Sequence, residues 1–224
     1  MATRNRAILD LPMTARSHDP VNTRTLDVSG RGNHSAYTIV TKIVGQHGYN
    51  FPVGNAAIQT PVVYDLDDSN WSFEFMVNIN NIVSNSYGLL HGDIGPNDYW
   101  LVLHRVDRGG LTLQYNGNSG GAAARFTTPS RNMHAGCWQH VVICRGAGLN
   151  FKIYQDSFKI TDQVLDFSGG WLFSPQALGI GGNTPPHGNS WLGQIGLARF
   201  YQFELTQIQV NDLQVAAMST INKV

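Results

Sequence analysis

Hydrophobic and polar residues alternate with a period of two through much of the chain, a pattern typical of β-strands with one buried face. The clearest stretch is Trp71-Ser-Phe-Glu-Phe-Met-Val77, in which Trp71, Phe73, Phe75 and Val77 share one face. We predict that this face belongs to a hydrophobic core. The other predicted strands are Ala7 to Leu11, Tyr37 to Ile43, Tyr99 to His104, Leu111 to Tyr115, Trp138 to Cys144, Phe151 to Tyr154 and Gln194 to Phe203.

Short turn-rich segments separate these strands, among them SGRGN, GDIGPND, DRGG and NGNSGG, and the chain holds 24 glycines. Strands joined by such links are usually antiparallel neighbours, so the pattern indicates a sandwich or a barrel. Neither an internal repeat nor a low-complexity linker divides the sequence. We therefore predict a single domain over residues 1–224.

One segment near the C-terminus departs from the strand pattern and carries the signals that begin a helix. Thr206 is suited to cap the helix, and Gln209, three residues later, completes a capping box. Leu205 and Val210 have the spacing of a hydrophobic staple. The stretch from Leu205 to Leu213 is therefore predicted to be one short helix packed on a sheet protein.

The composition narrows the classes of partner. Lys plus Arg and Asp plus Glu are equal at 15 each, so no overall charge attracts the chain to nucleic acid or to an anionic membrane. No apolar run approaches the ~20 residues that span a bilayer. The start, MATRNRAILDLPM, has no apolar signal core. We expect a chain without a signal peptide or a transmembrane segment, made in a cytoplasm.

Several motifs occur in the order found in laminin-G-like, concanavalin A-like domains, and the matches run from about residue 7 to residue 213. The resemblance implies an all-β, two-sheet antiparallel jelly-roll sandwich with one short C-terminal helix. Ser157 departs from the pattern, because this family usually has a glycine in that hairpin. The matching segments are Asp27 to His34 (D-x-SG-x-GNH), Asn70 to Val77, Gly136 to Val142 (G-x-W-x-H-V-V), Phe151 to Asp156, Leu178 to Gly182, and Leu192 to Ile195 with Arg199, Tyr201 and Leu205.

This family includes glycoside hydrolases, which need two carboxylates placed on either side of the scissile bond. The chain has only two glutamates, Glu74 and Glu204, and lacks the E-x-D-x-E arrangement of sandwich-fold glucanases. Asp65, Asp67 and Asp68 cluster in a polar connection, where they are expected to be solvated. We predict that the protein is not an enzyme.

Candidate metal ligands occur at His134, Cys137, His140 and Cys144, but a strand places Cys137 and His140 on opposite faces, and no tetrahedral zinc site can form. The two cysteines are predicted to be buried, reduced thiols. Asp93, Asn97 and Asp98 offer oxygen ligands to calcium without the spacing of a calcium loop, so ordinary Asx turns are favoured. We predict no metal and no cofactor.

Carbohydrate binding would need an exposed aromatic ring flanked by short polar side chains. Two loop regions supply these residue types. Trp100 and Trp191 are either stacking rings or core residues, and core packing is the favoured alternative for each. The candidate glycan-binding residues are His91, Asp93, Asn97, Asp98, Tyr99 and Trp100 in one region, and Asn183, His187, Asn189 and Trp191 in the other.

Three functions remain as hypotheses. The first, which we prefer, is a non-enzymatic structural or adhesive component of a tailed-bacteriophage virion, such as a capsid decoration protein or a tail- or fibre-associated protein. It implies a virion location, contacts with other virion proteins and a homo-oligomer. The alternative is a carbohydrate-binding, lectin-like module that contacts a host-surface glycan. A divergent glycoside hydrolase is the third.

Overall fold

The computed structural model describes residues 3, 6–40, 47–52, 56–61, 66, 70–80, 86–95, 98–105, 110–116, 124–127, 133–164, 177–182 and 191–221. Within these residues the chain forms strands arranged in two sheets, followed by one α-helix. The strands are β1 (Leu9–Leu11), β2 (His18–Asp19), β3 (Arg24–Thr25), β4 (Ser35–Thr38), β5 (Tyr49–Phe51), β6 (Ala57–Gln59), β7 (Trp71–Ile79), β8 (Ser86–Gly95), β9 (Asp98–Arg105), β10 (Gly110–Asn116), β11 (Ala124–Thr127), β12 (Trp138–Gly146), β13 (Asn150–Gln155), β14 (Phe158–Val164), β15 (Leu178–Ile180) and β16 (Gly193–Tyr201), and the helix is α1 (Gln207–Ile221).

The first sheet has seven strands in the order β1-β16-β7-β12-β13-β14, with β5 also paired to β16. The second has nine strands in the order β11-β10-β9-β8-β15-β6-β4-β3-β2. Neighbouring strands within the described residues pair antiparallel, for example β7 with β12 and β8 with β9. The predicted all-β, two-sheet antiparallel class is therefore confirmed.

The main core lies between the two sheets. The predicted inner face of β7 is confirmed, because Trp71, Phe73, Phe75 and Val77 are all buried. Phe73 stacks on Phe200 of β16 with 4.4 Å between ring centroids. The nine-stranded sheet contributes its own row of paired, buried residues: Tyr37, Ile58, Ile180 and Leu90.

Helix α1 covers the outer face of the seven-stranded sheet. Its capping box is confirmed: the Thr206 backbone N–H donates to Gln209 Oε1 at 2.9 Å, and the Gln209 N–H donates to Thr206 Oγ1 at 3.4 Å. Leu205 and Val210, the predicted staple pair, are both buried. The helix extends beyond the predicted end at Leu213 because its next turns also pack on the sheet.

The hairpin between β13 and β14 has a two-residue turn, Asp156-Ser157, in which both residues have positive φ, +49° and +65°. Ser157 occupies this conformation without being glycine because α1 holds it. Gln207 Nε2 donates to the Ser157 carbonyl at 2.7 Å, and the Ser157 hydroxyl donates to Gln214.

The D-x-SG-x-GNH motif anchors the first strand. The Asp27 carboxylate accepts backbone N–H groups from Asp10 at 2.8 Å, Ser29 at 2.9 Å and Asn33 at 3.0 Å. Gly30, within this loop, has a φ of +85°, a conformation that disfavours residues with a Cβ. The motif is thus explained by loop geometry and by attachment of β1.

Two sequence predictions need correction. The strand predicted over Tyr37 to Ile43 ends at Thr38, because Ile39 has a φ of +55°. Residues 41–46 lie outside the described residues. Cys137 precedes β12 and is exposed, because the strand begins only at Trp138, whereas Cys144 is buried as predicted.

No helix in the described part of the chain combines the length and the apolar character needed to cross a membrane.

Candidate functional site

A network of buried charged and polar side chains lies on the outer face of the seven-stranded sheet. Glu74 is on β7 between Ser72 and Met76, in the alternate positions that face away from the main core. Its side chain is completely buried. Met76, beside it on this face, packs against Ala217 of α1, and Val142, its partner on β12, belongs to the cluster that contains Val210 and Leu213 of α1, so the helix covers the carboxylate.

Three side chains donate to the Glu74 carboxylate. Arg199 Nη1 lies 3.1 Å from both Oε1 and Oε2, and the Tyr201 hydroxyl donates to Oε2 at 2.7 Å. His140 Nε2 lies 3.2 Å from Oε1, and it must be the donor because an ionised carboxylate only accepts. Arg199 Nε also donates to Asp10 at 3.0 Å, which connects the network to β1.

The electrostatics of this network hold Glu74 ionised. Burial by itself raises the pKa of Glu74, but the Arg199 guanidinium and the hydrogen bonds from His140 and Tyr201 outweigh burial and lower the pKa to about 2. Burial and the adjacent carboxylate raise the pKa of the Tyr201 hydroxyl well above its ordinary value. Neither group is poised for proton transfer near neutral pH, and neither reaches solvent.

Glu204, the second glutamate, has a different environment. It pairs with Lys152 of β13, and both side chains are about a quarter exposed. Its carboxylate also lies against the backbone of Gly146. The two glutamates are therefore engaged in separate ion pairs, one buried and one near the surface, instead of facing a common cleft.

Strand geometry already argues against a zinc site at His134, Cys137, His140 and Cys144, and the structure gives two of these residues other partners. His140 is bonded to Glu74, and the Cys144 thiol contacts the Leu205 carbonyl at 3.9 Å. Burial raises the pKa of Cys144 to about 12, which disfavours the thiolate that metals bind. Within the described residues, no three His, Cys, Asp or Glu side chains are grouped as a metal ion would require.

The first set of candidate glycan residues follows the β8–β9 hairpin. His91 pairs with Leu101 and is almost fully buried, with 2% of its surface exposed. The hairpin register pairs Asp93 with Tyr99, Gly92 with Trp100, and Gly95 with Asp98. Asn97 lies outside the described residues.

Of the second set of candidate glycan residues, Trp191 is the one that lies within the described residues. Trp191 is fully buried, and its indole N–H donates to the Asn78 carbonyl at 3.3 Å. This burial removes Trp191 as a stacking surface and agrees with core packing, the alternative favoured for this ring. Asn183, His187 and Asn189 lie outside the described residues.

The first candidate region and the residue that precedes the second, Gly182, approach each other at Gly179 of β15. Gly179 pairs with His91 of β8, and a Cβ built on Gly179 would lie 3.7 Å from the His91 Cβ. The same Cβ would lie 2.4 Å from the Gly182 carbonyl oxygen, so the chain that leads towards Asn183 turns back over this point. A glycine is required here because the returning backbone occupies the space of a side chain.

Sequence reasoning missed the network around Glu74. Alternation alone places Glu74 on the face opposite Trp71 and Phe73, which in a two-layer sandwich is the solvent face. The available signal was Arg199, an arginine within the strongly apolar closing strand GQIGLARFY, because a charge in such a strand requires a partner.

Comparisons with known proteins agree with the fold. A family model described as the Concanavalin A-like lectin/glucanases superfamily matches residues 52–211. A search of curated protein sequences finds no match.

Similar solved structures cover nearly the whole chain at low sequence identity. Domain 4 of AbnA, a GH43 extracellular arabinanase from Geobacillus stearothermophilus solved with arabinotriose, has 17% identity and a TM-score of 0.65, with 93% of this chain and 98% of that chain covered. Trypanosoma rangeli sialidase, solved with sialic acid, has 14% identity and a TM-score of 0.72. Botulinum neurotoxin type C, in a structure concerned with cell entry through two ganglioside molecules, has 18% identity and a TM-score of 0.67. The sialidase match covers 98% of this chain and 34% of the longer sialidase chain. The neurotoxin match covers 97% of this chain and 53% of the neurotoxin chain.

Proposed function

Because the chain belongs to the concanavalin A-like lectin/glucanases superfamily, we propose that it is a non-enzymatic carbohydrate-binding module. The observation that carries this proposal is the approach of His91, in the first candidate region, to Gly182, the residue that leads into the second, on either side of Gly179. The sequences of both regions are rich in the short polar and aromatic residues that bind sugars. Similar structures were solved with arabinotriose and with sialic acid, which supports a saccharide as the ligand class.

The state of the glutamates supports a binding role over hydrolysis. Glu74 is enclosed beneath α1 and ionised, so it has neither the access nor the raised pKa of a general acid. Glu204 forms an ion pair with Lys152. A hydrolase would therefore have to use aspartates alone.

We place the proposed glycan site on the outer face of the nine-stranded sheet, near the end of the β8–β9 hairpin. Asp93 of β8 and its partner Tyr99 of β9 belong to one alternating set with His91. His91 itself is almost fully buried, as Trp191 is, so it is not proposed as a sugar contact. Asn97 and Asp98 at the end of this hairpin are proposed to provide hydrogen bonds to sugar hydroxyls.

A glycan array followed by isothermal titration calorimetry tests this function. We expect saturable binding to one class of saccharide, and we expect the Asn97→Ala/Asp98→Ala variant to lose about tenfold or more in affinity. The matched control is Asn211→Ala/Asp212→Ala, which removes the same residue types from the exposed side of α1 and should bind as the wild type does. Unchanged binding by the hairpin variant contradicts the site, and the absence of binding to any glycan contradicts the function.

A second proposal concerns the setting in which the module acts. We propose that it is a structural or adhesive component of a tailed-phage virion, assembled as a homo-oligomer. The assembly part of this proposal is supported by three large apolar side chains that are exposed around α1. Ile208 is 73% exposed, Val215 is 71% exposed and Phe158 is 61% exposed. Ser157, next to Phe158, is bonded to α1, so these residues belong to one side of the molecule. Such apolar exposure supports contact with a neighbouring copy or subunit.

A further inference from the structure

Four cross-strand partners form a row on the seven-stranded sheet, at the end where α1 finishes. Trp138 of β12 is paired with Asn78 of β7. Gln194 of β16 is paired with Asn78 on one side and with Asn50 of β5 on the other. All four residues are half-buried, so each one presents part of its surface to solvent. We call these residues the amide row.

The amide row lies on the outer face of this sheet, in continuation of the surface that α1 covers. Asn78 is two residues beyond Met76, and alternate residues of a strand share a face. Met76 packs against Ala217 of α1, while Trp138 and Ile221 border the same cluster. The helix therefore ends beside Trp138 and leaves the row at its edge.

The indole of Trp138 is fixed in place by the backbone of β16. A register shift between Ile195 and Leu197 marks a bulge at Gly196, and a Cβ built on Gly196 would lie 3.0 Å from Trp138 Cζ3. The imidazole of His47 meets the indole edge-on, with 6.1 Å between ring centroids and an interplanar angle of 88°. A ring held in this way loses little conformational entropy when a ligand binds.

The chemistry of the amide row matches the surface of a sugar. Each carboxamide offers both donors and acceptors, as a hydroxyl group does, and an indole offers a flat apolar surface to C–H groups. Within the described residues, Asn78 Oδ1 is itself buried and accepts no hydrogen bond, so the carboxamides of Asn50 and Gln194 are the ones that would meet sugar hydroxyls.

The row also contains no charged side chain. Arg199 lines a small depression nearby with His47 and Gly196, but its guanidinium is bonded to Asp10 and Glu74. An acidic saccharide therefore meets no available cation in the row.

We propose that Trp138, Asn78, Gln194 and Asn50 form a binding site for a neutral saccharide. This site lies on the opposite sheet from the β8–β9 hairpin, so it is separate from the glycan site proposed above and does not depend on it. Trp138 contributes the stacking surface, and the carboxamides of Asn50 and Gln194 contribute hydrogen bonds to hydroxyl groups.

The test is a titration of the ¹⁵N-labelled protein with arabinotriose, maltotriose and lactose, and with 3′-sialyllactose as the acidic counterpart of lactose, at millimolar concentrations. We expect a neutral probe to shift the indole resonance of Trp138 and the side-chain amide resonances of Asn50 and Gln194. The Asn50→Ala/Gln194→Ala variant should bind that probe about tenfold more weakly or worse. The nearly isosteric Gln194→Glu variant should also weaken binding. It provides a second test of the site if the double variant fails to fold.

The Asn97→Ala/Asp98→Ala and Asn211→Ala/Asp212→Ala variants serve as controls and should leave the shifts in the amide row unchanged. If the shifts occur at the β8–β9 hairpin and disappear only in the hairpin variant, the amide-row proposal is overturned while the hairpin site stands. If the shifts at the row persist in both row variants, or if no neutral probe shifts the row, the proposal is also overturned.

Discussion

Glu74 shows how a charged residue in an alternating strand acquires a structural role. Its carboxylate is enclosed beneath α1 and receives donors from Arg199, Tyr201 and His140, so the cost of burying its charge is offset by three partners. Among the described residues, His140 Nδ1 has no hydrogen-bond partner, so this imidazole contacts Glu74 through Nε2.

Replacing Glu74 by Gln should destabilise the protein strongly. Glutamine removes the charge that compensates Arg199 while leaving that guanidinium buried, and breaking a buried pair in this way costs about 3 kcal/mol or more. Urea denaturation followed by circular dichroism measures the change in the free energy of unfolding. Glu204→Gln is the matched control, because its partly exposed pair with Lys152 should contribute less than about 1 kcal/mol. Equal losses for the two variants would contradict this assignment.

The same carboxylate makes stability depend on pH. The folded state lowers the pKa of Glu74 from 4.5 to about 2, so the unfolded chain binds this proton more tightly than the folded protein does. The contribution of Glu74 to stability is therefore complete above pH 4.5 and is lost as the pH falls towards 2. The free energy of unfolding, measured in urea at steps from pH 6 to pH 2, should fall more steeply for the wild type than for Glu74→Gln. Parallel profiles would show that Glu74 is not the group responsible.

At the scale of elements, the β13–β14 hairpin and α1 stabilise each other. Asp156 and Ser157 both have positive φ, which a two-residue turn with the right-handed twist of its strands requires and which normally favours glycine at the second position. The Ser157 hydroxyl and carbonyl are instead used by Gln214 and Gln207 of α1. The unfavourable positive φ of Ser157 is thereby offset by its hydrogen bonds to α1.

This exchange predicts a specific coupling. In the wild type, Ser157→Gly should change the free energy of unfolding little, since relief of positive φ contributes about 1 kcal/mol and the lost hydrogen bond costs about the same. In a Gln214→Ala background that hydrogen bond is already absent, so the same substitution should stabilise the protein by about 1 kcal/mol. A double-mutant cycle by urea denaturation measures the difference. If Ser157→Gly has the same effect in both backgrounds, Ser157 and Gln214 are not coupled.

The elements that the sequence predicts are those with long local patterns. Strand β7 alternates over most of its nine residues, β12 contains the apolar run Val141 to Cys144, and α1 carries its capping box within four residues. Strands β2, β3 and β15, with two or three residues each, are too short to show a period and form only because neighbouring strands supply their partners. Their positions are therefore set by tertiary pairing.

The sites were harder to predict than the fold for a related reason. The amide row takes one residue from each of four strands, so the register of the sheet creates it and no local motif records it. The meeting of the candidate glycan regions depends likewise on Gly179, which looks like an ordinary strand glycine in the sequence. Composition gives the residue types that a sugar site would need, but it does not distinguish the buried Trp191 from the half-buried Trp138.

At the scale of the whole molecule, the two proposed sugar sites lie on different sheets. The site at the β8–β9 hairpin belongs to the nine-stranded sheet, and the amide row belongs to the outer face of the seven-stranded sheet. The apolar side chains around α1 lie on the seven-stranded side as well. Assembly through α1 would place several copies of each site on one particle, and multiple weak sites on one particle bind a glycan-covered surface with increased avidity.

The assembly proposal predicts that Ile208→Ser/Val215→Ser shifts the protein towards a monomer. These two side chains are among the most exposed large apolar groups in the described residues, so a serine at each position removes the surface that a second copy would cover while leaving the buried face of α1 unchanged. Static light scattering after size-exclusion chromatography should give a multiple of 24.6 kDa for the wild type and 24.6 kDa for the variant.

The control is Val21→Ser, which replaces an apolar residue that is 89% exposed in the turn between β2 and β3 and should leave the wild-type mass unchanged. A wild type that remains at 24.6 kDa across the concentration range would contradict assembly through α1 and the virion proposal that depends on it, whereas the glycan-binding proposal would be unaffected.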